Sequence, residues 1–296
     1  MSARLIIRAG IVLAWAVLPT LIPADPLSPA ERAIADSNRA IQSNPNRFES
    51  HNAHALALAR RARETADPAY YDQADLALKE SFRLAPENFE GQRIRAWVLL
   101  GKHDFAAALE LARSLNTKMP DDVLTYGLLA DAHTELGNYD DAEKATQWML
   151  DLRAGNIPGL MRAAHLRELF GDIEGALELM QAAYPRIPPN EVEDRAWILV
   201  QVAHLEGSRG RLDAADSLLA EALKLFPDYH YALAESGRLR AAQERYDEAV
   251  EAFRKRFQAA PHPEIFMSWL KRSTGRGAAR KRRRCGKTSS SVRPPK

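Results

Sequence analysis

Apolar residues recur at helical intervals along most of the chain, separated by Glu-, Arg-, Asp- and Lys-rich polar positions. No stretch shows sustained period-two alternation bounded by turn residues. The pattern predicts an all-α protein without a sheet. Abundant Ala, Leu, Arg and Glu, with few aromatics and little Gly, favours the same element.

The apolar stretches are punctuated at a fixed interval. Pro86, Pro120, Pro188, Pro227 and Pro261 each follow one. Pro86 to Pro120 and Pro227 to Pro261 are 34 residues apart, and Pro120 to Pro188 is twice that, with Ala154 at the midpoint. About twelve residues upstream of each stands a small residue: Ala74, Ala108, Ala142, Ala176, Ala215 and Ala249. A bulky residue precedes each by three: Tyr71, Phe105, Tyr139, Ile173, Leu212 and Tyr246. A second small position, twelve residues earlier still, holds Ala96, Ala130, Ala164, Ala203 and Gly237. Gly137, Gly171 and Gly210 lie two before the bulky position.

This spacing describes a helix pair. Small residues let two antiparallel helices approach closely, and bulky ones fill the gap to the next pair. The Gly accepts the positive φ of the turn between helices, and the Pro ends the second helix. A single pair buries too little apolar surface to stand alone, so several must stack.

Leu136-Gly137-Asn138-Tyr139-Asp140-Asp141-Ala142 resembles the tetratricopeptide repeat, a helix–turn–helix unit of this length. The resemblance covers residues 28–263: a half repeat at 28–45, a longer repeat at 46–88, and repeats at 89–122, 123–156, 157–190, 196–229 and 230–263. About nine extra residues fall near Arg63–Ala69, and residues 191–195 are a short insertion. The Trp usual at the fourth position is replaced by Gln92, Tyr126, Leu160, Leu199 and Leu233. The family implies a right-handed superhelical solenoid whose first helices line a concave face. Its groove-facing positions, carried over one by one, give Arg93, Trp97, Asp131, Met161, His165, Trp197, His204, Tyr231 and Arg238 as partner-binding candidates. Trp97 and Trp197 have a second reading, as packing between repeats. The Lys/Asn clamp by which some members hold acidic chain ends is missing. Its ninth position holds Trp97, Asp131, His165, His204 and Arg238.

The net charge of +2 conceals a split. Eleven Lys or Arg and no acid lie in residues 271–296, leaving 30 basic and 39 acidic residues in 1–270, a formal −9. That balance argues against a nucleic-acid-binding body. Residues 264–273 offer a partial capping helix and 274–296 a disordered basic tail. The tail reads as an arm for nucleic acid or anionic lipid, as an inert end, or as the product of a frameshift or truncation. The lone Cys285 permits neither an intrachain disulfide nor a cysteine zinc cluster. At the other end, Arg4 and Arg8 precede an uncharged run from Ala9 to Ala24. This is the layout of a secretory signal at residues 1–24, cleaved after Ala24 or retained as an anchor.

Candidate chemistry is sparse. His51 and His54 share a helix face, open to a metal or to packing. His165 and His204, at equivalent positions of adjacent repeats, read as a metal or pH-sensing pair or as groove lining. Asp121-Asp122, Asp140-Asp141 and Glu193-Asp194 stand at helix starts or in loops, where capping and the helix dipole account for acids. No phosphate-cradling loop, nucleophile elbow or paired-histidine zinc helix is present. The sequence thus reads as a non-enzymatic scaffold for a protein or peptide, with no cofactor, metal or small-molecule substrate. The N-terminal segment leads us to expect a periplasmic or secreted protein or, as the alternative, one anchored to the membrane through that segment.

Overall fold

Polar caps recur at the repeat interval. Asn88, Asp122 and Asn156 each precede a helix and accept from the backbone N–H three residues on, at 2.6, 3.0 and 2.8 Å. Each satisfies a donor that the first helical turn leaves orphaned. Asp104 and Asp172 do the same at 3.2 and 2.9 Å for the second helices of two pairs.

The computed structural model describes residues 27–261. The N-terminal segment 1–24, the capping helix at 264–273, the tail at 274–296 and Cys285 lie outside the described residues. Among the described residues are thirteen α-helices and no strand: α1 (Pro29–Ser43), α2 (Phe48–Thr65), α3 (Ala69–Leu84), α4 (Phe89–Gly101), α5 (Phe105–Lys118), α6 (Val123–Leu136), α7 (Tyr139–Leu152), α8 (Ile157–Phe170), α9 (Ile173–Ala183), α10 (Val192–Ser208), α11 (Leu212–Leu225), α12 (His230–Ala242) and α13 (Tyr246–Ala259). A short 3₁₀ turn, Tyr184–Arg186, follows α9. No described helix is long and apolar enough to cross a membrane.

Extensive contacts join α2 to α3, α4 to α5, α6 to α7, α8 to α9, α10 to α11 and α12 to α13, with α1 on α2, and α5 also packs closely on α6. The small residues close these pairs: Ala74, Ala108, Ala142 and Ala176 have no exposed surface, and Ala96, Ala130, Ala164 and Ala203 are buried. At Gly237 a Cβ would stand 2.7 Å from the Phe253 ring, so only glycine fits. Phe105, Tyr139, Ile173 and Leu212 are half-buried between pairs. Tyr246 is exposed, because no described helix follows to cover it. Apolar clusters run continuously from pair to pair. The result is an all-α superhelical solenoid.

The turn within a pair needs a left-handed residue. Gly137, Gly171 and Gly210 supply it with φ of 81°, 89° and 80°. His103 and Glu244 hold the same conformation at 64° and 62°, where a side chain is strained.

Two first helices depart from the common length. α2 has 18 residues and α10 has 17, against 13 or 14 in α4, α6, α8 and α12. The extra residues near Arg63–Ala69 extend the end of α2 and its turn. Those at 191–195 form the start of α10.

Candidate functional site

First helices pack on one another, α2 on α4, α4 on α6, α6 on α8 and α10 on α12, and no two second helices do so to the same extent. The first helices are therefore the inner layer and form the concave face. Arg93, Trp97, Asp131, Met161, His165, Trp197, His204, Tyr231 and Arg238 lie on five of them, and all nine are half-buried.

The large side chains among them also serve the fold. Trp97 packs against the apolar cluster of α2–α4 and against that of α4–α7, and Trp197 spans the clusters either side of α10. Met161 and Tyr231 each edge one cluster. Each keeps part of its surface exposed.

The charged members form a ladder across the first helices. Arg93 lies 3.0 Å from Asp122, the cap of α6. Arg162 of α8 reaches back to Asp131 at 2.6 Å and donates to the Gly127 carbonyl at 3.1 Å. Glu168 lies 3.6 Å from His165 and 3.3 Å from His204 of α10. His204 turns its other nitrogen to Glu235 of α12 at 3.1 Å, and Glu235 meets Arg238 at 2.9 Å. His165 and His204 are thus joined through a carboxylate. Hydrogen bonds to Glu168 and Glu235 outweigh burial and push His204 up to about 9, so it is cationic at neutral pH. Burial opposes ionisation of Glu168, but His165 and His204 hold its carboxyl well below the usual range.

Elsewhere the candidate chemistry is absorbed by structure. His51 Nε2 donates to the Pro45 carbonyl at 2.9 Å, and His54 Nδ1 pairs with Ser37 Oγ at 3.0 Å. Among the described residues no three His, Cys, Asp or Glu are placed to share a metal ion. A groove of about 630 Å³, lined by Phe82, Gln92, Arg95, Leu99, Glu110 and Leu111, contains none of the nine candidates.

Sequence reasoning missed one constellation. At the end of α2, Arg60 lies 2.5 Å from Glu191, and Arg63 pairs with Glu193 and, at 2.5 Å, with Asp194. Tyr229 donates to Glu193 at 2.5 Å, and His230 Nε2 donates to the Arg63 carbonyl at 2.9 Å. Burial raises the Tyr229 phenol well above its ordinary value and lowers His230 to about 4, so the first stays protonated and the second neutral. Glu193 and Asp194 also sit in the first turn of α10, where the helix dipole favours acids. The available signal was the pair of repeat-length irregularities, one beginning at Arg63 and the other containing Glu191, Glu193 and Asp194.

Residues 99–150 match the family model of the tetratricopeptide repeat. That segment carries a tetratricopeptide repeat. No curated protein sequence matches it. Among solved structures, a chain of the APC/C hetero-tetramer Cut9–Hcn1 superposes with TM-score 0.63 at 15% identity, covering 82% of this protein and 46% of its own length. This chain thus spans under half of that relative's length. A tetratricopeptide repeat protein from Parabacteroides merdae gives 0.58 at 15% identity, with 82% and 91% covered. The human IFIT1 dimer with m7Gppp-AAAA gives 0.64 at 17% identity, with 85% and 60% covered. At these identities the likeness is one of fold.

Proposed function

We propose that this solenoid is a non-enzymatic scaffold that holds a partner polypeptide on its concave face. One observation carries the reading: a strip of half-exposed side chains, from Arg93 on α4 to Arg238 on α12, with one or two contributed by each repeat. It mixes aromatic, Met, imidazole and charged groups, the composition that partner surfaces favour. The partner is an extended or helical segment with apolar anchors, since the strip's cations already face carboxylates. The Cut9–Hcn1 neighbour, a hetero-tetramer, lends support by analogy of fold.

Photo-crosslinking in native cells tests this. A crosslinker at 131 or 165 should trap a discrete polypeptide, whereas one at 143 or 217 on the second helices should not. Trapping from the second helices alone would overturn the reading.

We further propose export or envelope association, on the strength of Arg4, Arg8 and the uncharged run to Ala24. The intact mass of the native protein should lack residues 1–24. A full-length cytoplasmic protein would contradict this. A second reading, association with nucleic acid or anionic lipid, rests on the eleven Lys and Arg of residues 271–296. Deleting those residues separates the two: a concave-face scaffold keeps its partner, and a tail-driven binder loses it.

A further inference from the structure

The two irregularities in repeat length meet in space. An array of identical units would bring neither the end of α2 nor the start of α10 beyond its neighbours. Here α2 is lengthened at its C-terminal end and α10 at its N-terminal end. The added segments touch across 130 residues of sequence, from Arg63 to Glu193. A third element joins them, since α12 begins with Tyr229 and His230, which bond to Glu193 and to the Arg63 carbonyl. α12 has no side-chain cap of the kind found on α4, α6 and α8.

We propose that this contact is a clasp. It holds the first helix pairs against the fifth and sixth, fixes the solenoid in a tightly wound state, and on release lets the array unwind and the concave face widen. Three features set it apart from an incidental surface pair. Arg60 and Arg63 are three-quarters or more and about seven-tenths covered, at 25% and 29% exposure, and the Glu193 side chain is 2% exposed. Removing one partner of such a pair costs far more than at an exposed pair, because it strands a charge out of water. The buried carboxylate is satisfied from two directions, by the arginine and by the tyrosine, so losing Arg63 leaves a desolvated charge behind. And each participant other than Arg60 stands at a helix end, where a small rotation of one repeat on the next separates the groups.

The larger helix–helix interfaces of the solenoid join neighbours through apolar packing, so they change little as the array winds or unwinds. The clasp links repeats that are not neighbours. It is therefore the contact on which the overall curvature depends. This inference concerns the chain's own conformation and does not rest on the identity of any partner.

The test is a distance measurement between spin labels at Lys79→Cys on α3 and Lys224→Cys on α11, in a chain carrying Cys285→Ser. Both sites are exposed and outside the clasp. In that background the distance distribution should be single and narrow. Arg60→Glu, which sets a carboxylate against Glu191 and Asp194, should move most of the population to longer, broader distances. Arg60→Glu with Glu191→Arg should restore the narrow distribution, since the pair is reversed in place. Both positions are partly exposed and tolerate the exchange without loss of the core. Raising NaCl from about 0.05 M to about 1 M, which shortens the screening length from over 10 Å to about 3 Å, should broaden the unsubstituted distribution in the same direction. An unchanged distance in Arg60→Glu would overturn the clasp. So would a change that Glu191→Arg fails to reverse, because it would mark local misfolding rather than release.

Discussion

His204 Nε2 lies 3.3 Å from Glu168 Oε1, one repeat back along the concave face, while its Nδ1 faces Glu235 on the next repeat. One imidazolium thus ties three successive first helices. Its folded value of about 9 lies above the ordinary 6.5, so its contribution is complete below about pH 6.5 and fades as pH rises through about 9. Glu168 has the opposite sign. Its carboxyl is held below 4.5, so its contribution is present above that value and is lost as pH falls through the lower folded one. Urea melts of the unsubstituted chain and of His204→Gln should therefore differ most near pH 6 and converge above pH 9. A difference that persists unchanged at pH 10 would show that the imidazole acts by shape and not by charge.

Glu244 turns between α12 and α13 with φ of 62°, in the conformation that Gly171 adopts at 89°. Replacing Glu244 by Gly should raise stability by about 0.5–1 kcal/mol, and Gly171→Ala should lower it by about 1 kcal/mol. Equilibrium urea unfolding at fixed pH reads both.

Asn52 on α2 is buried, donates to Asn88 at 2.9 Å and accepts from Ser81 at 2.7 Å. It thereby ties α2, α3 and the cap of α4. Asn52→Ala should cost about 1–3 kcal/mol, because Ser81 and Asn88 keep buried groups without that partner. Hydrogen exchange should show the loss concentrated in α2, α3 and α4. A uniform loss across the array would mean that the repeats unfold as one unit.

Much of this architecture is legible in the sequence because it repeats. Ala142 and Gly137 are readable as a close helix contact and a left-handed turn, since equivalents recur at fixed offsets and each has one physical use. The concave candidates are readable only as positions. Nothing at Trp97 or Trp197 reveals that each packs into two clusters, because an aromatic between repeats and one facing a groove share the same spacing. The His204 ladder was half visible. Its two histidines are equivalent in register, but Glu168 as the bridge depends on side-chain direction. The clasp was invisible to periodicity, since Arg63 and Glu193 lie in the segments that break the period.

The proposed binding of a polypeptide on the concave face is open to direct measurement. Its most direct test is calorimetric titration of the crosslinked partner segment into paired variants. Asp131→Ala with His165→Ala should weaken binding about tenfold or more, a loss of about 1.4 kcal/mol, while Glu143→Ala with Gln147→Ala on α7 should leave it within about twofold. The reverse result, loss on α7 and none on the inner helices, would contradict the claim and place the partner on the outer layer.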